Sequence, residues 1–217
     1  MTLELFAHPF SSYCQKALIA LYENDTPFTY RMLEDEGVGE ELAALWPMKR
    51  FPILRDVGHV VLEASIIIEY LQVHYPGAVE LIPANSGLAV EVRMLDRVFD
   101  NYVMTPQGKF VFDALRPAEN RDPHGVDEAR KMLETSYAWL DARMQGRTWA
   151  VGEMFTLADC AAAPSLFYAD WTYPIPERYT NLLAYRRRLL DRPSFARAVN
   201  EARRFRHYFP LGAPARD

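Results

Sequence analysis

Residues 10–14, FSSYC, stand between a short alternating segment, LELFA at 3–7, and a strongly helical run, QKALIALYEN at 15–24. How that junction is read decides the fold of the first third of the chain. The alternation in LELFA is the period of a half-buried strand. Beyond it Ala17, Leu18, Ala20 and Leu21 recur at helical spacing and mark a core face on residues 13–23. FSSYC is therefore a strand-to-helix turn that presents two hydroxyls and a thiol. Ser11 and Ser12 suit helix N-caps as well as chemistry. Cys14 suits a small packed residue better than a reactive thiol, since free cysteine is usually buried and inert.

Working outward, TPFTYRML at 26–33 is rich in aromatic and β-branched residues and reads as a second strand. GVGEELAAL at 37–45 gives a short helix with acids in its first turn. FPILRDVGHVVLEAS supplies two short strands joined by a turn around residues 56–59, with Gly58 at its positive-φ position. SIIIEYLQVHY at 65–75 is helical and stops at Pro76-Gly77. Strand signals end there. YPGAVELIPANSG at 75–87 is a connection, and a long helix is expected from about 88 to 115. Its apolar stripe is Leu88, Val92, Leu95, Phe99, Tyr102 and Val103, and Pro106 should kink or divide it. A polar loop at 116–125, a helix at 126–144 and an almost wholly apolar helix within 148–171 follow. Two more helices split at residues 191–193. The expected domains are an α/β unit over 1–76, a linker over 77–87 and an all-helical unit over 88–217.

Composition narrows the function. The chain has 217 residues, half of them apolar and 24% charged, which fits a folded globular protein with a sizeable core. A net charge of −5 disfavours nucleic acid as a partner. No apolar run is long enough to span a membrane, and MTLELFAHP lacks the basic and apolar regions of a secretory signal. The two cysteines, Cys14 and Cys160, make no disulfide framework and point to a reducing cytoplasm. No metal is called for. RRR at 186–188 and ARRFRH at 202–207 read as solvated helix faces.

Four patterns, in order, resemble the glutathione transferase family: FSSYC before the first helix, KRFPIL at 49–54, VLEASIIIEYL at 61–71, and FTLADCAAAP at 155–164. The resemblance runs over essentially the whole chain. It implies a thioredoxin-like N-terminal α/β domain followed by an all-α domain, with glutathione as co-substrate, an electrophilic and largely apolar small molecule as acceptor, and a homodimer. In KRFPIL it implies a cis Phe51–Pro52 bond; the residues alone favour a trans proline at a strand start. Backbone groups of Phe51 are then free to pair with an extended peptide ligand. Glu63, with the first N–H groups of the helix after it, suits the ammonium and carboxylate of a γ-glutamyl group. Alone, Glu63 reads as an ordinary helix-start acid. The family's usual serine after this glutamate is Ala64 here. A hydroxyl bond to a carboxylate is worth about 1.5–3 kcal/mol, and Ser65 is the nearest hydroxyl that could take it over. Arg50 is implied as a partner for the glycyl carboxylate.

In FSSYC the spacing Ser11-x-x-Cys14 is similar to a redox C-x-x-C whose first cysteine is serine, which excludes dithiol chemistry. The resemblance implies that Ser11 donates a hydrogen bond to the glutathione sulfur, with Ser12, Tyr13 and Cys14 as rivals. An alternative is reduction or thiolysis through Cys14; another is a non-enzymatic interaction module. Phe10, Tyr102, Met104 and Trp171 are candidates for contact with an apolar acceptor, although each residue type is more often core. Thr156 and Asp159 form a capping box with a folding role.

Overall fold

The structure is a computed structural model, and it describes residues 3–217. Strands β1 (Glu4–Ala7), β2 (Thr29–Met32), β3 (Ile53–Asp56) and β4 (His59–Leu62) form one sheet in the order β2-β1-β3-β4. β1 and β2 are parallel, joined through helix α1 (Ser12–Glu23), whereas β3 and β4 run antiparallel to their neighbours. The two-residue side-chain period sorts the sheet's faces. Leu5, Ala7 and Leu54 face α1 and α3 (Ala64–His74), and Phe6 and Ile53 face Val38 and Leu42 of α2 (Val38–Leu45). Between β3 and β4 both turn residues, Val57 (φ 44°) and Gly58 (φ 89°), have positive φ, as a hairpin of this length requires. The reading of Gly58 alone understated this.

The second unit holds α4 (Ser86–Phe99), α5 (Thr105–Ala114), α6 (Pro123–Met144), α7 (Leu157–Thr172), α8 (Thr180–Asp191) and α9 (Pro193–Ala202), with a 3₁₀ segment over Arg203–Tyr208. Residues 75–85 contain neither helix nor strand. α4 and α5 form one rod interrupted by π-helix at Asp100–Met104. Pro106 has no N–H and would clash with the carbonyl four residues back, and widening the turn ahead of it relieves both problems. The carbonyl of Asp100 accepts the Thr105 N–H and also its Oγ1, at 2.9 Å. Tyr102, expected on the inward stripe, is turned outward at 48% exposure.

Residues 157–171 of α7 are buried without exception, so this helix is the centre of the molecule, packed between α1 and α4. Its capping box forms: Asp159 accepts from the Thr156 N–H at 2.8 Å. One expectation is corrected. Within the run 186–188 Arg186 is not solvated: it is buried against Phe167 and Asp170, while Arg187 is exposed. α8 packs on α6 and α7, so only part of its circumference meets water.

Candidate functional site

Sheet register brings three distant stretches together. β3 runs antiparallel to β1 with Ile53 opposite Phe6, so the chain entering β3 lies beside the chain leaving β1. β4 runs antiparallel to β3 with Leu62 opposite Ile53, so the chain leaving β4 arrives at the same end. The turn at 8–11, the pair Phe51–Pro52 and residues 63–65 therefore share one edge of the sheet. The Phe51–Pro52 peptide is cis.

The turn before α1 has nearly every backbone polar group engaged. The His8 N–H donates to Cys14 Sγ (3.4 Å) and the His8 carbonyl accepts from the Ser11 N–H (3.0 Å). Pro9 O accepts from Gln15 Nε2 (2.9 Å), the Phe10 N–H donates to His8 Nδ1 (3.2 Å), and Phe10 O accepts from the Tyr168 hydroxyl (3.0 Å). Ser11 is the N-cap of α1, and its Oγ accepts from the Cys14 N–H at 3.4 Å. Capping uses a lone pair of that hydroxyl, which also lies against the Cys14 thiol, and its proton can rotate to another acceptor. The N–H groups of Ser12 and Tyr13 have no protein acceptor among the described residues, so a helix N-terminus opens beside the same hydroxyl.

The rivals of Ser11 stand in different surroundings. Cys14 is fully buried, accepts from His8, and burial pushes its thiol up to about 12. A buried thiol held protonated is a poor nucleophile. Ser12 lies one residue inside the helix. Tyr13 is 36% exposed and faces Asp100, Thr105, Arg97 and Glu63; burial first, then the Asp100 carboxylate, pushes its hydroxyl up to about 12.

At the other end of the cleft Glu63 is exposed, with φ 69° and ψ 120°, an unfavourable backbone for a residue with a Cβ. Its side chain does not cap α3. The N–H groups of Ala64, Ser65 and Ile66 have no protein acceptor among the described residues. The Ser65 hydroxyl, by contrast, is committed elsewhere. It accepts from Lys16 Nζ (2.9 Å) and from Arg97, and donates to Asp96 Oδ2 (2.9 Å). Only its backbone N–H is free to replace what Ala64 lacks. Arg50 is exposed, and among the described residues no ion pair forms on it.

Lys16 is the centre of this second cluster. It is 1% exposed and pairs with Asp96 at 2.5 Å and Asp100 at 2.8 Å, while Arg97 closes over both carboxylates from the solvent side. Burial raises the Asp100 carboxyl, against the lowering pull of Lys16. The cluster joins α1 and α3 to the α4–π junction directly behind residues 63–65. Sequence reading did not single out Lys16, Asp96, Arg97, Asp100, His8, Gln15 or Tyr168. A signal existed for three of them: a lysine among the inward positions of α1, and two aspartates four apart inside the apolar stripe of α4.

The four acceptor-side candidates do not form one surface. Phe10 packs edge-on to Tyr168 (5.5 Å) and lies 6.4 Å from Trp171. Trp171 is only 8% exposed, and its indole N–H has no protein acceptor among the described residues. Tyr102 is exposed on the rod, and Met104 is 6% exposed and belongs to the core. Met104 turns inward because the π-helical stretch shifts the phase of the rod's stripe. No group of acids, histidines and cysteines that could hold a metal occurs among the described residues, and no helix among them is long and apolar enough to cross a membrane.

Residues 5–78 match the family model described as glutathione S-transferase, N-terminal domain, and residues 123–188 the one described as glutathione S-transferase, C-terminal domain. The chain belongs to the glutathione S-transferase family. A stringent starvation protein A homolog of Coxiella burnetii is 24% identical over 207 residues, covering 92% of each chain. Glutathione S-transferase GstB of Escherichia coli is 25% identical over 199 residues, covering 87% of this chain and 93% of the relative. Among solved structures, a glutathione S-transferase of Methylobacillus flagellatus with glutathione bound superposes with TM-score 0.80 at 25% identity, covering 91% of this chain and 98% of the other. The family's mixed sheet and helical second domain are the architecture described above.

Proposed function

We propose that the protein activates glutathione through the Ser11 hydroxyl and transfers it to an electrophilic, largely apolar small molecule in the cytoplasm. One observation carries the reading: the Ser11 hydroxyl caps α1 as an acceptor, beside the unpaired N–H groups of Ser12 and Tyr13, and its proton can turn to a sulfur bound there. Lowering a thiol pKa from about 8.5 to about 6.5 takes roughly 2.7 kcal/mol. A hydrogen bond to a charged acceptor supplies about 1.5–3 kcal/mol and a helix N-terminus about 0.3–1 kcal/mol. No general base is required. Phe51, beside the cis peptide, pairs with the cysteinyl backbone; Glu63 meets the ammonium, the N–H groups of Ala64 and Ser65 the glutamyl carboxylate, and Arg50 the glycyl carboxylate. Phe10 and Trp171 border the acceptor.

Calorimetric titration of glutathione, with thiolate absorbance followed against pH, tests this in wild type, Ser11→Ala and Cys14→Ala. Ser11→Ala should still bind, raise the bound thiol pKa by about 1–2, and lose about tenfold to hundredfold in kcat/KM. Cys14→Ala should keep turnover. Full activity in Ser11→Ala, or none in Cys14→Ala, sinks the assignment.

A second reading, an interaction module, is favoured by Ala64 together with the committed Ser65 hydroxyl. It predicts no glutathione binding by wild type at millimolar ligand. Both readings include a homodimer. Ile66 (51%) and Val73 (71%) of α3 and Val90 (66%) and Met94 (46%) of α4 are exposed beside the Glu69–Arg93 pair, an apolar face of the kind a twofold interface covers. Sedimentation at micromolar protein should give twice the 25.0 kDa chain mass, and Ile66→Asp with Met94→Asp should give the monomer.

A further inference from the structure

His8 makes more contacts in the Ser11 turn than any catalytic account of that turn uses. Its backbone carbonyl holds the Ser11 N–H at 3.0 Å, and its backbone N–H holds Cys14 Sγ at 3.4 Å. Its ring reaches both ways. Nδ1 lies 3.2 Å from the Phe10 backbone nitrogen, and Nε2 lies 3.2 Å from Glu34 Oε1. The Phe10 nitrogen can only donate, so Nδ1 must be bare and the ring proton must sit on Nε2, pointing at Glu34. Glu34 also accepts from the Tyr208 hydroxyl at 2.8 Å, and the ring packs edge-on against Phe205 at 4.6 Å. The imidazole is 14% exposed. Two elements remote in sequence, the segment after β2 and the 3₁₀ stretch at Arg203–Tyr208, therefore orient one ring, and that ring fixes the residue preceding Ser11.

We propose that His8 is the positioning residue of the Ser11 turn, held as the Nε2-protonated neutral tautomer by Glu34, Tyr208 and Phe205. This rests on the reading of Ser11 as thiolate donor. A hydroxyl that must meet one sulfur tolerates little displacement, since about 1 Å of misplacement can remove a hundredfold in rate. The Phe10 N–H tie is what the ring adds to the backbone bonds of the turn. The carbonyl of Phe10 is held from the opposite side by Tyr168. The Phe10 N–H belongs to the Pro9–Phe10 peptide, whose carbonyl accepts from Gln15 Nε2 at 2.9 Å, so losing the ring acceptor leaves that peptide tied at one end only and loosens the turn leading into Ser11.

The experiment compares wild type, His8→Leu and His8→Asn. The asparagine carbonyl takes the place of Nδ1 as acceptor and has no atom at Nε2. His8→Leu should bind glutathione about as tightly as wild type, because residues 50–65 are untouched. Its bound thiol pKa should rise by about one and its kcat should fall about tenfold, with the KM for glutathione little changed. His8→Asn should recover most of that loss. A general packing defect would instead lower stability in both variants and leave the bound thiol unchanged. An unshifted bound thiol in His8→Leu, no rescue in His8→Asn, or a wild-type ring protonated on Nδ1 by nitrogen NMR overturns the proposal. Failure of the Ser11 reading looks different. Glutathione would then not bind wild type, or would bind with its thiol at the free value, while the ring still reports its Nε2 proton and Phe10 amide exchange still separates His8→Leu from His8→Asn.

Discussion

Replacing Lys16 by methionine should lower stability by about 3–5 kcal/mol near neutral pH, the loss seen when one partner of a buried ion pair is removed. Methionine fills the volume of the lysine stem, so packing is largely kept and the loss reports charge. Asp96 and Asp100 would be left side by side, 2% and 7% exposed, with the half-exposed Arg97 as their sole counter-charge among the described residues. The pH dependence has a definite sign. The Asp100 carboxyl already sits above its ordinary value in the wild type because of burial. A carboxyl raised on folding contributes stability that is present below its unfolded pKa and is lost as pH rises through the folded one. Removing Lys16 takes away the cation that lowers the Asp100 carboxyl and so raises it further. The deficit of Lys16→Met should therefore be widest near pH 7 and narrow toward about pH 4. Urea denaturation at the two pH values measures it, and a deficit that stays constant with pH would show that packing, not charge, was lost.

Asp159→Ala should be as damaging, with the opposite pH signature. The carboxylate is fully buried and accepts from the Ala150 N–H (2.9 Å), the Thr156 N–H (2.8 Å), Thr156 Oγ1 (3.1 Å) and the Tyr185 hydroxyl (2.6 Å). Alanine leaves two backbone donors and a buried tyrosine without partners, at about 1–3 kcal/mol each. The expected loss is about 3–5 kcal/mol, or roughly 10 °C in Tm for a chain of this length. Burial holds the Asp159 carboxyl up to about 6, against the lowering effect of its donors. Wild type therefore gives up part of this contribution as pH rises from about 4 through about 6, and the variant has no such group to titrate. The gap between the two should be widest in acid and should shrink on the way to neutrality. Calorimetry across that window checks the sign. A milder change, Thr156→Ala, removes one cap hydroxyl and should cost about 1 kcal/mol.

Much of the architecture was legible because local physics specified it. The alternation of LELFA, the helical spacing after Cys14, the stop at Pro76-Gly77 and the capping box at Thr156 each state a local geometry that packing then respects. The edge of the sheet where Ser11, Pro52 and Glu63 meet was legible only as an ordered set of motifs. Three things were not legible. Tyr102 was misplaced on the inward stripe because a π-helical stretch changed its phase, and an apolar pattern read at one period cannot show where the period shifts. Arg186 was taken for a solvated charge because a sequence does not show that Asp170 and Phe167 lie across from it. Ser65 was taken as a spare hydroxyl because its partners lie 49 and 31 residues away.

The division has a physical reason. Caps, turns, strand period and helix faces depend on residues within a few positions of one another, so the sequence by itself determined that Ser11 caps a helix, that Thr156 and Asp159 close a box, and that an α/β unit precedes a helical one. Whether a hydroxyl is free or committed, whether a thiol is reachable and whether a lysine is solvated depend on which distant groups share its surroundings. Only the tertiary structure decided those. It buried Cys14, gave the Ser65 hydroxyl to Lys16 and Asp96, and enclosed His8 between Glu34 and Phe205.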